Sequence, residues 1–132
     1  MNDTLCYLDT SAFVKLVVDE RESEGLRAFL VEWPQRFSSV LVDVEAHRLA
    51  LRTNRATAVR TDQLLRSLSL VPVSPEVRSV ARSIQPPTLR ALDSIHLASA
   101  LTMASDLGVF VAYDRRLLDA AADAGLAVAS PS

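Results

Sequence analysis

The sequence predicts an α/β protein, a three-layer α/β/α arrangement with a central, mainly parallel sheet between helices. Two observations predict it. Short apolar runs such as Leu5 to Leu8 and Val109 to Tyr113 alternate with helix-forming stretches of about 10 to 15 residues, the pattern of βαβ units. Those runs are also apolar without interruption, as strands buried on both faces must be. The chain has 132 residues, 49% of them hydrophobic, with only 3 glycines. That composition supports one domain with its own core over residues 1–132, and no second one.

The elements follow in order. Leu5 to Leu8 is a strand, and a helix runs from about Ser11 to Val18 with Thr10 or Ser11 available as its cap. A second helix, about Glu22 to Trp33, is stopped by Pro34. Phe37 to Leu41 is strand-like and leads into a helix from Val42 to Thr53, followed by another from Ala56 to Ser67. Leu70 to Val73 is a short strand beside Pro72 and Pro75, and Glu76 to Ile84 is a helix ending before Pro86-Pro87. A long helix spans Leu89 to Ser105, with Gly108 marking its end. Val109 to Tyr113 is a strand, Arg115 to Ala124 a helix closed by Gly125, and Leu126 to Val128 a last edge strand.

Composition excludes several classes. No run of about 18 apolar residues offers a membrane span, and Met1-Asn2-Asp3 lacks the basic and then apolar start of a leader. A soluble, cytoplasmic protein with no membrane association is expected. The lone Cys6, inside an apolar run, reads as a small core residue rather than a nucleophile. A net charge of −2 argues against holding nucleic acid through overall positive charge. Locally the balance differs, because Arg48, Arg52, Arg55, Arg60 and Arg66 face the single acid Asp62 in that stretch. Arg48, Arg52 and Arg55 fall at helical spacing on one predicted stripe, which is either a solvated face or a ridge contacting phosphates.

Four carboxylates, Asp9, Glu45, Asp93 and Asp114, carry the chemistry. Asp9 and Asp114 each close an apolar run and precede helix-forming sequence, the strand-to-helix corner where open parallel sheets bind ligands. Each could instead be a local helix cap, and Glu45 could lie on a solvated face. Asp93 is surrounded by apolar and small residues, so its helix reads as largely buried and its carboxylate needs a partner. His96, three residues on, is the nearest candidate, although a packed histidine is the simpler role for it. If the four acids converge, they repel. Two carboxylates about 4 Å apart cost roughly 4 kcal/mol at an effective dielectric of 20. An all-oxygen site without cysteine or paired histidines suits Mg²⁺ or Mn²⁺ rather than zinc, and such ions serve phosphoryl transfer.

The stretches Tyr7-Leu8-Asp9-Thr10-Ser11, Val44-Glu45, Leu92-Asp93-Ser94-Ile95-His96-Leu97-Ala98-Ser99-Ala100 and Tyr113-Asp114-Arg115-Arg116-Leu117-Leu118 together resemble the PIN-domain nucleases. The likeness is to the VapC-type toxins of toxin–antitoxin pairs and covers essentially the whole chain. It implies a Mg²⁺- or Mn²⁺-dependent endoribonuclease in which Asp9, Glu45, Asp93 and Asp114 hold one or two metals or activate water. Thr10 or Ser11 would support the pocket. It also implies a homodimer and a VapB-type antitoxin covering the site. Relatives place Thr or Ser near the fourth acid where this chain has Ala112-Tyr113, so Asp119 is an alternative to Asp114. Two other classes remain open: an inactive α/β module that binds a partner, and a haloacid-dehalogenase-type phosphatase. The phosphatase wants a second acid where this chain has Ser11.

Overall fold

The computed structural model describes residues 4–132, so the reading of Met1 to Asp3 falls outside the described residues. Five strands form one sheet, β1 (Leu5–Leu8), β2 (Gln35–Ser39), β3 (Ser69–Val71), β4 (Leu107–Val111) and β5 (Val128–Ala129), in the order β3-β2-β1-β4-β5. Every pairing is parallel. The helices are α1 (Thr10–Val17), α2 (Ser23–Leu30), α3 (Leu41–Leu51), α4 (Arg55–Leu65), α5 (Pro75–Ala81), α6 (Ala91–Leu101) and α7 (Arg115–Asp123). Parallel strands need crossovers, and these helices supply them on both faces of the sheet. The predicted three-layer α/β/α class is the observed one. No described helix is long and apolar enough to cross a membrane.

The uninterrupted apolar strands are explained by where alternate side chains go. Cys6 and Leu8 of β1, with Val109 and Val111 of β4, pack beneath α1 and α2 against Ala12, Leu26 and Leu30. Tyr7 and Phe110 point the other way, into a core shared with Leu97 and Ala100 of α6 and Leu117, Ala120 and Ala121 of α7. The rings of Tyr7 and Phe110 stack with centroids 5.3 Å apart. A third cluster joins α1 to α3 through Phe13, Val17, Val42 and Ala46. Cys6 is fully buried and its thiol is pushed up to about 12 by that burial, which keeps it inert, as expected.

Several boundaries differ from expectation. The helix predicted from Leu89 to Ser105 is α6, shorter at both ends. Arg90 is its extended N-cap, and past Leu101 the Thr102 hydroxyl donates to the Ser99 carbonyl at 2.7 Å in the closing turn. β2 begins at Gln35, earlier than predicted, because Gln35 and Arg36 pair with Leu5 and Cys6 and extend the ladder back to the residue after Pro34. The last strand lies at Val128–Ala129 rather than Leu126 to Val128, held by Phe110 and Val111 of β4. The C-terminal tail folds back on α2. A Cβ on Gly25 would overlap the Ser132 backbone, and the Tyr113 hydroxyl donates to the Pro131 carbonyl.

Candidate active site

The strand order places the crevice. From β1 the chain builds outward through β2 to β3, then crosses back to lay β4 on the other side of β1. The direction of winding reverses between β1 and β4, and at such a point the carboxyl ends of the strands open a ligand crevice. Asp9 follows β1 directly and Asp114 follows β4 after a short turn. Both are N-caps: an Asp9 oxygen accepts from the Ala12 amide at 2.9 Å, and Asp114 accepts from the amides of Arg116 at 2.9 Å and Leu117 at 3.2 Å. The cap role and a place in the crevice therefore coexist. Helix α1 starts from Asp9, not from the predicted caps Thr10 or Ser11, because the carboxylate reaches the first-turn amide.

Glu45 of α3 and Asp93 in the first turn of α6 complete the set. All four acids line one cavity of about 370 Å³, together with Thr10, Ser11, Arg90 and His96. The sequence-predicted convergence of Asp9, Thr10, Ser11, Glu45, Asp93 and Asp114 on one cavity is thus present in the fold. Ser11, at the position where a phosphatase of the alternative class needs an acid, instead donates to both Asp9 oxygens at 2.7 and 2.9 Å. Its oxygen also accepts from the Tyr113 amide at 3.0 Å, which ties the end of β4 to the start of α1.

His96 was expected to pack or to pair with Asp93. Its ring is 1% exposed but turns away from Asp93, with Nε2 3.0 Å from Glu45 Oε1 and Nδ1 2.8 Å from the Tyr7 hydroxyl. A carboxylate only accepts, so Nε2 carries a proton, and in the neutral ring Nδ1 accepts from Tyr7. The Thr10 hydroxyl also donates to Glu45 Oε1. This chain of bonds fixes one Glu45 oxygen from behind. The predicted need of Asp93 for a partner is met from the other side, by Arg90 at 3.8 Å, whose guanidinium also stands 3.7 Å from Asp114. Asp93 is half-buried rather than enclosed, because it opens onto the cavity.

Charge in the cavity is unbalanced. Burial pushes the Asp9 carboxyl up to about 6, against the lowering effect of the bonds from Ser11 and Ala12. Asp93 is raised as well, by burial and then by the negative charge of Asp114. Burial also acts to raise Glu45, but the hydrogen bonds from His96 and Thr10 outweigh it and hold that carboxyl below its usual range. Against four carboxylates stands the Arg90 guanidinium, and its side chain is 76% exposed, where solvent screens it. A donor set made of carboxylates and hydroxyls, short of positive charge, fits a hard divalent cation. Among the described residues no three acidic, histidine or cysteine side chains gather closely enough to cage an ion. The acids stand around the cavity instead, which suits a cation that keeps several of its waters.

The arginine stripe does not form as predicted. Helix α3 stops at Leu51, with Arg52 as its C-cap, and Asn54 adopts an extended conformation and caps α4 by accepting from the Thr57 amide at 2.9 Å. Arg55 is therefore the first residue of another helix, and only Arg48 and Arg52 share the α3 surface with Glu45. All three are exposed and none lines the acid cavity. Asp119 stays on the solvated side of α7, 4.0 Å from Arg115, and does not reach the cavity either. Arg90 is the charged cavity residue that reasoning from sequence missed, and His96 was singled out but with the wrong partner. Arg90 had a local signal, lying three residues before Asp93 at helical spacing. The partners of His96 had none, because Glu45 and Tyr7 are 51 and 89 residues distant.

Comparison with known proteins agrees with this geometry. A family model described as the PIN domain matches residues 6–123. The chain is 41% identical over 126 residues to Ribonuclease VapC46 of Mycobacterium tuberculosis, covering 96% of this chain and 97% of that protein. It is 37% identical over 132 residues to Ribonuclease VapC47 of the same species, with the same coverage. Among solved structures, a toxin–antitoxin complex from Klebsiella pneumoniae superposes with a TM-score of 0.74 at 22% identity, over 96% of this chain and 98% of that one.

Proposed function

This chain belongs to the PIN-domain family, and from that premise we propose that it is a divalent-metal-dependent endoribonuclease, the toxin of a VapBC-type toxin–antitoxin pair. One observation carries the reading: four acids from four separate segments line a single cavity at the switch point of a parallel sheet. Asp9, Glu45, Asp93 and Asp114 are the residues that would hold Mg²⁺ or Mn²⁺, with Thr10 and Ser11 in support. When bound, such an ion polarises the phosphodiester and makes a water acidic enough to attack near neutral pH.

The residues of the chain divide the remaining work. Glu45, kept ionised by His96 and Thr10, accepts the proton of the attacking water. Asp9 and Asp114, anchored as helix caps, hold fixed positions on either side of the crevice. Arg90, exposed at its rim, meets the phosphate of the incoming strand. A VapB-type antitoxin is the protein partner, and the toxin pairs as a homodimer in the cytoplasm.

Incubating the purified chain with single-stranded RNA tests this reading. Cleavage is expected with Mg²⁺ or Mn²⁺, none with a chelator, and none for Asp93→Asn, which keeps shape and removes charge. Undiminished cleavage by Asp93→Asn would contradict the site.

A further inference from the structure

Next to the acid cavity lies a second one with the opposite charge. The segment from Val71 to Leu92 carries Arg78, Arg82 and Arg90 against the single acid Glu76. Helices α5 and α6 pack on each other here, and between them opens a cavity of about 420 Å³ lined by Arg78, Ala81, Arg82, Ala91, Ser94 and Ile95. No acid lines it. Ala91 also lines the acid cavity, and Arg90, at the α6 N-cap, stands over that shared edge. The two spaces are therefore neighbours on the surface, one built for a cation and the other for an anion.

From this continuity we propose that the α5–α6 cavity is a nucleotide subsite, which holds one residue of the RNA strand beside the phosphate being cleaved. The inference rests on the ribonuclease reading and extends it. The side chains fit such an occupant. Arg78 on α5 and Arg82 at its C-cap, one turn apart, offer charged donors to a backbone phosphate. Ala81, Ala91 and Ile95 make an apolar floor for the sugar or base. The volume lies within the range of small-ligand pockets, about 300 to 1,000 Å³. Arg82 has no ion pair among the described residues, and Arg78 is steadied by donating to the Val73 carbonyl at 3.1 Å. Two other arginine-lined cavities are poorer candidates. In the one between α1, α2 and α4, Arg27 faces Asp19 at 3.4 Å and Arg36 is spent on the Trp33 and Leu30 carbonyls at 2.8 Å; the one along α4 holds Arg55 and Arg60; neither shares a residue with the acid cavity.

The test uses a fluorescein-labelled single-stranded RNA of mixed sequence. Its affinity is measured over a salt series for the non-cleaving Asp9→Asn chain, with and without Arg78→Ala, Arg82→Ala or both. Each substitution is expected to reduce the slope of log affinity against log salt by roughly 0.7, and Arg82→Lys to restore it. Exposed Arg66→Ala, outside both cavities, controls for net charge and should leave the slope unchanged. With Asp9 intact, the double variant should raise KM for cleavage about tenfold, with kcat within about twofold, as loss of uniform binding does. Slopes no lower than that of Arg66→Ala overturn the subsite while leaving the ribonuclease reading standing. So does a double variant that binds RNA normally but loses affinity for a partner protein. A parent chain that neither binds nor cleaves RNA overturns both.

Discussion

Replacing Asp9 by Asn should make the metal-free protein more stable at alkaline pH and less stable, or equal, at acid pH. In the folded chain the Asp9 carboxyl is raised from 3.8 to about 6, chiefly by burial, so the native state holds its proton more tightly than the unfolded chain does. Below the unfolded value both states are protonated and the group adds no strain. Between the two values the native protein progressively has to ionise a buried acid, and stability falls. The span of about 2 units corresponds to about 3 kcal/mol lost by pH 7 to 8. Asn does not titrate and caps a helix about as well. It keeps the bond to the Ala12 amide, but its nitrogen cannot accept from Ser11 as the second carboxylate oxygen does, which costs about 1 kcal/mol. The net gain at pH 8 is about 2 kcal/mol, a rise in Tm of roughly 5 to 10 °C for a chain of this size. Saturating Mn²⁺ should invert the order, since ligand at 100 times its Kd adds about 2.7 kcal/mol to the parent and little to the variant. Thermal melts of both proteins in chelator and in Mn²⁺, from pH 4 to pH 8, measure all of this. A difference in Tm that stays constant across that range would refute the reasoning.

Tyr7→Phe removes only the hydroxyl behind His96 and keeps the stack on Phe110. It should cost about 1 to 3 kcal/mol by leaving a buried ring nitrogen unpaired and weaken Mn²⁺ binding about tenfold by loosening Glu45; calorimetric titration reads the second effect, and equal affinity would show that Glu45 holds its place unaided. Arg48→Ala and Arg52→Ala, on the surface of α3, should each lower the salt slope of RNA binding by roughly 0.7 if the strand runs along that helix, whereas Arg55→Ala, on α4, should not; identical slopes for all three would take α3 out of the RNA path. Gly25→Ala forces a methyl against the Ser132 backbone and should destabilise by about 1 to 3 kcal/mol, and an unchanged melting temperature would mean that the tail yields freely.

What the sequence made legible was whatever had a local signature. Asp9 and Asp114 sit where an apolar run meets a helix, and such corners in a parallel sheet all point to one edge, so two of the four acids could be placed from pattern alone. Helix ends were harder. The break between α3 and α4 was legible near Asn54, but not the cap it makes with Thr57, which starts the second helix at Arg55 and so takes that residue off the stripe of Arg48 and Arg52. The bonds around His96 were beyond reach for a different reason. They join Tyr7, Thr10, Glu45 and His96 across the sheet, and tertiary packing alone decides which way a buried ring faces.

The central strand, β1, draws its two neighbours from distant parts of the chain, and this sets what the acid cavity depends on. Leu5 pairs with Gln35 on one side and with Leu107 on the other, and the crevice is pinned by a bond from Tyr113 to Ser11 that spans 102 residues. Closing a loop of that length carries an entropic cost that only the completed packing offsets. Until α6 and β4 are in place, Asp9 and Glu45 have neither Asp93 nor Asp114 opposite them and Glu45 lacks its bond to His96, so the cavity is incomplete. Partial unfolding that releases β4 undoes the same step. The acid cavity is therefore complete only when the strands furthest apart in sequence are paired.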